Sequence, residues 1–154
     1  MKHQYNLKIV WTGNSGTGTS SYSGYKRDHT IEAEGKPVLM GSADPAFRGD
    51  PTKYNPEELF LASLSACHML WYLHFCSEAE IKVMDYSDQA EGIMEVDANG
   101  SGRFTEVLLK PLVRVSDNSM EEKALDLHRK AHQYCFIANS CNFPVKRQPV
   151  ILVE

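Results

Sequence analysis

The sequence predicts an α+β fold, an antiparallel sheet with helices on one side and a long buried helix at its centre. Short polar-apolar alternations occur at both ends of the chain and in its middle, one long apolar helical stretch separates them, and Asn99-Gly100 signals a hairpin. With 154 residues, 42% apolar and 23% charged, the chain can enclose one core and is too short for two ordinary domains. Residues 1–154 are therefore expected to form a single domain.

From His3 to Trp11, Tyr5, Leu7 and Ile9 alternate with polar neighbours, the pattern of a half-buried strand. Residues 12–24 are rich in Gly, Ser and Thr and read as a hairpin loop, because the strand-turn-helix setting of a phosphate loop is absent. Tyr25 to Glu34 reads as the returning strand, and Gly35-Lys36-Pro37 turns the chain towards Val38-Leu39-Met40. Asp44 to Asn55 carries two Pro, two Asp and one Gly, an irregular connection long enough to suggest a functional loop.

A helix follows this loop. Asn55 suits the N-cap, Pro56 the first helical position, and Glu57 and Glu58 complement the positive end of the helix dipole. Leu59 to Cys76 has almost no polar face, which calls for burial on nearly all sides and hence for a partner subunit. It approaches membrane-span length, but Ser63, Ser65, His68 and His74 within it favour a buried core helix. Ile81 to Val96 and Arg103 to Val115 are β-rich and joined through the Asn99-Gly100 turn. Ser119 with Glu122 reads as a capping box opening a second helix to about Tyr134, with Ala124, Leu127 and Ala131 on its apolar face. Gln148 to Val153 reads as a short closing strand.

The 20 acidic and 16 basic residues are interspersed, which argues against nucleic acid and anionic membrane as partners. The N-terminus has no apolar h-region, so a cytoplasmic location is expected. In a reducing compartment Cys67, Cys76, Cys135 and Cys141 are not a disulfide framework, and they lack zinc spacing. No metal site and no cofactor is expected.

Thiol chemistry or simple burial remains for the four cysteines. Cys67 lies in the long helix among Ala62, Ser63, Ser65 and Ala66, and Cys76, nine positions on, faces the opposite side. Adjacent helical residues diverge, so His68 reads as a core or pocket-lining histidine rather than a base for Cys67. His74, and the pair His128 and His132, read as structural. Either Cys135 or Cys141 could meet a cysteine of the long helix if the two helices pack together.

Asn55-Pro56-Glu57-Glu58-Leu59-Phe60-Leu61-Ala62-Ser63-Leu64-Ser65-Ala66-Cys67 resembles the helix signature of the OsmC family, which includes the organic hydroperoxide resistance proteins. Cys135-Phe136-Ile137-Ala138-Asn139-Ser140 resembles that family's second cysteine motif. The resemblance implies an intertwined homodimer and a thiol peroxidase that reduces organic hydroperoxides, with Cys67 as attacking and Cys135 as resolving cysteine. It also implies a glutamate, matching Glu57, paired with an arginine that best matches Arg27, with Arg48 as second choice. A guanidinium beside a thiol favours its thiolate. The implied reductant is a dithiol, typically a lipoylated protein or dihydrolipoamide.

Phe47, Tyr54, Phe60, His68, Trp71 and Phe136 are the candidate lining of an apolar substrate pocket. Phe136 stands where many members of the family have Pro, and His68 where they have an aromatic residue. The competing possibilities are a small-molecule-binding dimer without catalysis and a thiol redox sensor.

Overall fold

The computed structural model describes residues 1–154, which divide into two compact units, Met1–Phe60 and Leu61–Glu154. The first is built on an antiparallel sheet of β1 (Lys8–Trp11), β2 (His29–Glu32) and β3 (Leu39–Gly41), in that order. β1 and β2 are shorter than the alternation predicts. Beyond Trp11 the pairing becomes irregular: Thr12 N–H donates to Asp28 O, Lys26 N–H to Gly13 O, and the Trp11 indole N–H to Lys26 O. Gly13 is required there, since a Cβ would stand 1.8 Å from Lys26 O.

The connection from Asp44 to Asn55 is fastened internally. Asp44 caps a single 3-10 turn, Pro45–Phe47, and the fully buried Ser42 hydroxyl accepts from Asp50 N–H while donating to the Asp28 carboxyl. Lys53 Nζ lies 2.6 Å from Asp28 Oδ2 and 3.3 Å from Asp50 Oδ2. These partners hold both carboxyls below their usual range: for Asp28 the Lys53 hydrogen bond contributes most, for Asp50 the Thr52 hydroxyl.

α1 spans Pro56–Glu78 and begins as the sequence suggests, with one further contact. Glu58 N–H donates to Asn55 Oδ1 at 2.8 Å and Asn55 N–H donates back to Glu58 Oε2 at 3.1 Å, a complete capping box. Within one chain α1 is not buried all round. Only Leu64, His68, Tyr72, Phe75 and Cys76 are buried, a single stripe, while Leu70 is 62% exposed. By length and composition alone α1 is apolar enough to cross a membrane.

In the second unit each β-rich run divides into two strands: β4 (Val83–Asp88) and β5 (Glu91–Val96), then β6 (Gly102–Leu109) and β7 (Pro111–Val115). The breaks meet where Lys110 N–H donates to Asp88 Oδ1. β5 and β6 form the expected hairpin, closing at Val96 opposite Gly102, with Gly100 at φ +87° as the turn requires. α2 (Glu121–Tyr134) does not open with Ser119 as its cap. Asp117 accepts the Ser119 N–H and caps a preceding 3-10 turn, because its carboxyl reaches two residues on more readily than the Ser119 hydroxyl reaches Glu122.

The expectation of an antiparallel sheet is corrected here. The unit holds two sheets, β4-β7-β9 and β5-β6-β8, in which β8 (Val145–Arg147) runs parallel to β6 and β9 (Val150–Val153) parallel to β7. Parallel neighbours need a crossover of a dozen or more residues, and α2 supplies it. The core of this unit joins Tyr72, Phe75 and Cys76 of α1, Val113 and Val115 of β7, and Ala124, Leu127 and Ala131 of α2.

Candidate functional site

Cys67 is half-buried on α1, and Cys135 is the buried C-cap of α2, where its N–H still bonds to His132 O as the chain leaves the helix. The Cys67 side chain lies near enough to act on the Cys135 thiol, and all four cysteines are free. Burial pushes the Cys135 thiol up to about 11, the Ala138 N–H donating to its sulfur opposes that rise, and the neighbouring Cys67 sulfur adds to it. Cys135 is thus held as a protonated thiol at neutral pH. Its position is set by aromatic neighbours in sequence: Trp71 packs against Tyr134 and Phe136, each with ring centroids 5.3 Å away, and Phe75 packs against Tyr134 at 5.1 Å.

An open apolar groove of about 570 Å³ runs along the exposed side of this pair. Its walls are Ala66, Leu70, Trp71, Phe136 and Ile137, with Ser63, Cys67 and His74 as the polar members. Trp71, Phe136 and Cys67 thereby share one groove, and His74, seven residues from Cys67 on the same helical face, joins them.

His68 is a correction. It is 1% exposed and faces α2, where its Nε2 shares a 3.0 Å hydrogen bond with Nδ1 of His128, so it lines no substrate groove. Adjacent helical residues differ by about 100° in direction, which sends His68 inward when Cys67 faces the groove. Phe47 and Tyr54 belong to the first unit and are largely exposed; Phe60 is half-buried near the start of α1. None of these three forms the groove walls.

The Arg27–Glu57 pair is likewise not formed in this chain. The Arg27 guanidinium donates to the carbonyls of Tyr22 and Tyr25 and lies over both tyrosine rings, 4.5 and 3.9 Å from their centroids. Those acceptors are two and five residues away in sequence and are available without ordering a distant loop. Arg48, at φ 64° on the end of the 3-10 turn, lies 6.0 Å from the Tyr22 ring. Glu57 keeps one carboxyl oxygen buried without a partner.

A family model described as OsmC-like protein matches residues 49–148. The chain belongs to the OsmC family. It is similar to an OsmC-like protein of unknown function from Vibrio cholerae O1 biovar eltor, at 31% identity and TM-score 0.85 over 97% of this chain and 100% of that one. It shares the fold of an organic hydroperoxide resistance protein from Elizabethkingia anophelis at 23% identity and TM-score 0.68, each chain fully covered. A third OsmC structure, an organic hydroperoxide resistance protein from Legionella pneumophila, aligns at 22% identity and TM-score 0.68 over 99% of this chain and 100% of that one. No curated protein matches.

Several features of this OsmC protein had no sequence signal strong enough to find them. Ser65 donates to Asp88 Oδ2 at 2.6 Å and ties the Cys67 segment of α1 to the end of β4. Tyr72 donates to Ala124 O at 3.0 Å and stacks on His128 at 3.8 Å. Cys76 is buried beneath Tyr72, and burial raises its thiol. Cys141 donates to Ile137 O at 3.1 Å. The i,i+4 spacing of His68 and Tyr72, matched by that of Ala124 and His128, was the available clue to the α1–α2 contact.

Proposed function

We propose that this OsmC protein is a thiol-dependent peroxidase that reduces organic hydroperoxides. The observation that carries the proposal is the half-exposed Cys67 thiol on an apolar groove, with the buried Cys135 thiol beside it. Attack needs a sulfur that meets solvent-borne substrate, and resolution needs a second sulfur already within reach.

In this reading the Cys67 thiolate attacks the distal oxygen of the hydroperoxide and the O–O bond breaks. The alkoxide leaves, takes a proton as the alcohol, and Cys67 becomes a sulfenic acid. The Cys135 sulfur then attacks the Cys67 sulfur; the S–O bond breaks, and hydroxide departs with the Cys135 proton as water. Oxidising Cys67 also removes the charge that helped hold the Cys135 thiol up, which eases this second step. A dithiol returns both cysteines by exchange. The groove walls, apolar except for Ser63, Cys67 and His74, suit an alkyl or aryl chain.

A homodimer is part of the same proposal. α1 presents Leu70 and other apolar side chains outside its buried stripe, and Leu7, Ile9, Leu39 and Met40 are exposed on β1 and β3 and beside them, apolar side chains that a second copy could cover.

The purified protein, given an organic hydroperoxide and a dithiol, is expected to release the alcohol over many turnovers. If it binds the hydroperoxide and returns it intact, the chain is a binding protein and the peroxidase proposal falls.

A further inference from the structure

The His68–His128 bond joins the same two segments that carry Cys67 and Cys135. His68 directly follows Cys67 in α1, and His128 lies seven residues, about two helical turns, before Cys135 in α2. The rings are nearly coplanar at 10°, and His128 is further fixed by the Tyr72 ring stacked on it at 9°. Both residues are at most 2% exposed, and each has its other ring nitrogen, His68 Nδ1 and His128 Nε2, without a protein partner. Their mutual bond is therefore the one polar contact that offsets the burial of each ring.

Around the pair, Phe75, Cys76, Leu127 and Ala131 meet through apolar contacts, which resist separation but permit sliding. A disulfide tolerates little sliding, since its Cα atoms must stand about 4.4–6.8 Å apart with a fixed torsion. An in-plane hydrogen bond between two nearly coplanar rings supplies the missing directionality.

We propose that His68 and His128 are positioning residues for the resolving step, holding α1 and α2 in the register that lets Cys135 reach Cys67. This rests on the peroxidase reading for its biological meaning, but it can be tested without peroxide. The readout is the equilibrium between the Cys67–Cys135 dithiol and disulfide in dithiothreitol buffers, followed by mass spectrometry of the full chain.

Two polar variants divide the outcomes. His128→Asn puts an amide near the position of Nδ1 and can keep the bond to His68; His128→Gln puts it near Nε2 and cannot. The Gln variant is expected to favour the disulfide at least tenfold less than wild type, a rise in potential of about 30 mV. The Asn variant should stay within threefold of wild type. Equal constants for the two variants, whether both match wild type or both fall, would overturn the positioning role. A wild type inert towards hydroperoxides that still shows the Asn–Gln split would end the peroxidase proposal and leave this one standing.

Discussion

Cys67 and Cys76 are the same residue type nine positions apart on one helix, about 180° apart in phase, and the two faces of α1 treat them oppositely. On the Cys67 face the thiol is half-buried, borders an apolar groove and has the Cys135 thiol beside it. On the Cys76 face the thiol is packed with Tyr72, Phe75, Ala124, Leu127 and Ala131, and burial raises it. Reactivity in this helix is therefore a matter of which side a residue falls on and of what the rest of the chain lays against that side.

The largest expected effect breaks the Cys67 face alone. Cys67→Ser should abolish even the first turnover of an organic hydroperoxide, whereas Cys135→Ser should consume one equivalent per chain and stop at a sulfenic acid that a dimedone probe traps. Cys141→Ser should leave multiple turnover intact. Recovery of a Cys67–Cys141 bridge from the oxidised wild type, with Cys135 free, would transfer the resolving role.

Acid should act mainly on the opposite face. Burial, with the Arg147 guanidinium and His132 adding to it, lowers His68 to about 4, and burial, with His68 and Arg147 adding to it, lowers His128 to about 3. Folded-state values below the unfolded value of about 6.5 mean that the unfolded chain takes up the protons first. Stability is full above about pH 6.5 and falls as the pH drops from there towards 4, by up to about 1.4 kcal/mol per pH unit for each ring. Denaturant midpoints at pH 7 and pH 5 check this, and His68→Gln combined with His128→Asn should flatten the slope.

Leu70 tests whether the exposed apolar side of α1 is covered by a second copy. Leu70→Asp should shift wild-type dimer to monomer in sedimentation at micromolar concentration, since a carboxylate in an apolar interface costs several kcal/mol. A wild type that is already a stable monomer would remove the dimer from the proposal.

The smallest effects lie in the core. Cys76→Ser should leave turnover unchanged and cost about 1–3 kcal/mol in urea unfolding, because a hydroxyl replaces a thiol among apolar neighbours. Tyr72→Phe should cost about 1 kcal/mol through the hydrogen bond lost to Ala124 O. A Cys76→Ser variant that lost turnover with its fold intact would erase the contrast between the two faces.

Much of this protein was settled by the sequence alone, wherever a feature depends on neighbours a few residues apart. The α1 cap needs only Asn55, Pro56 and Glu58; the hairpin needs Asn99-Gly100; and the opposite facing of Cys67 and Cys76 follows from 3.6 residues per turn. Tertiary structure decided what lies far apart in the chain. It set Cys135 beside Cys67 and turned His68 to His128 across 60 residues. It also laid β8 and β9 parallel to β6 and β7. The physical reason is the same throughout: local hydrogen bonds and helical phase are written in adjacent residues, whereas a long-range contact is selected by the packing of whole elements, which no short stretch of sequence encodes.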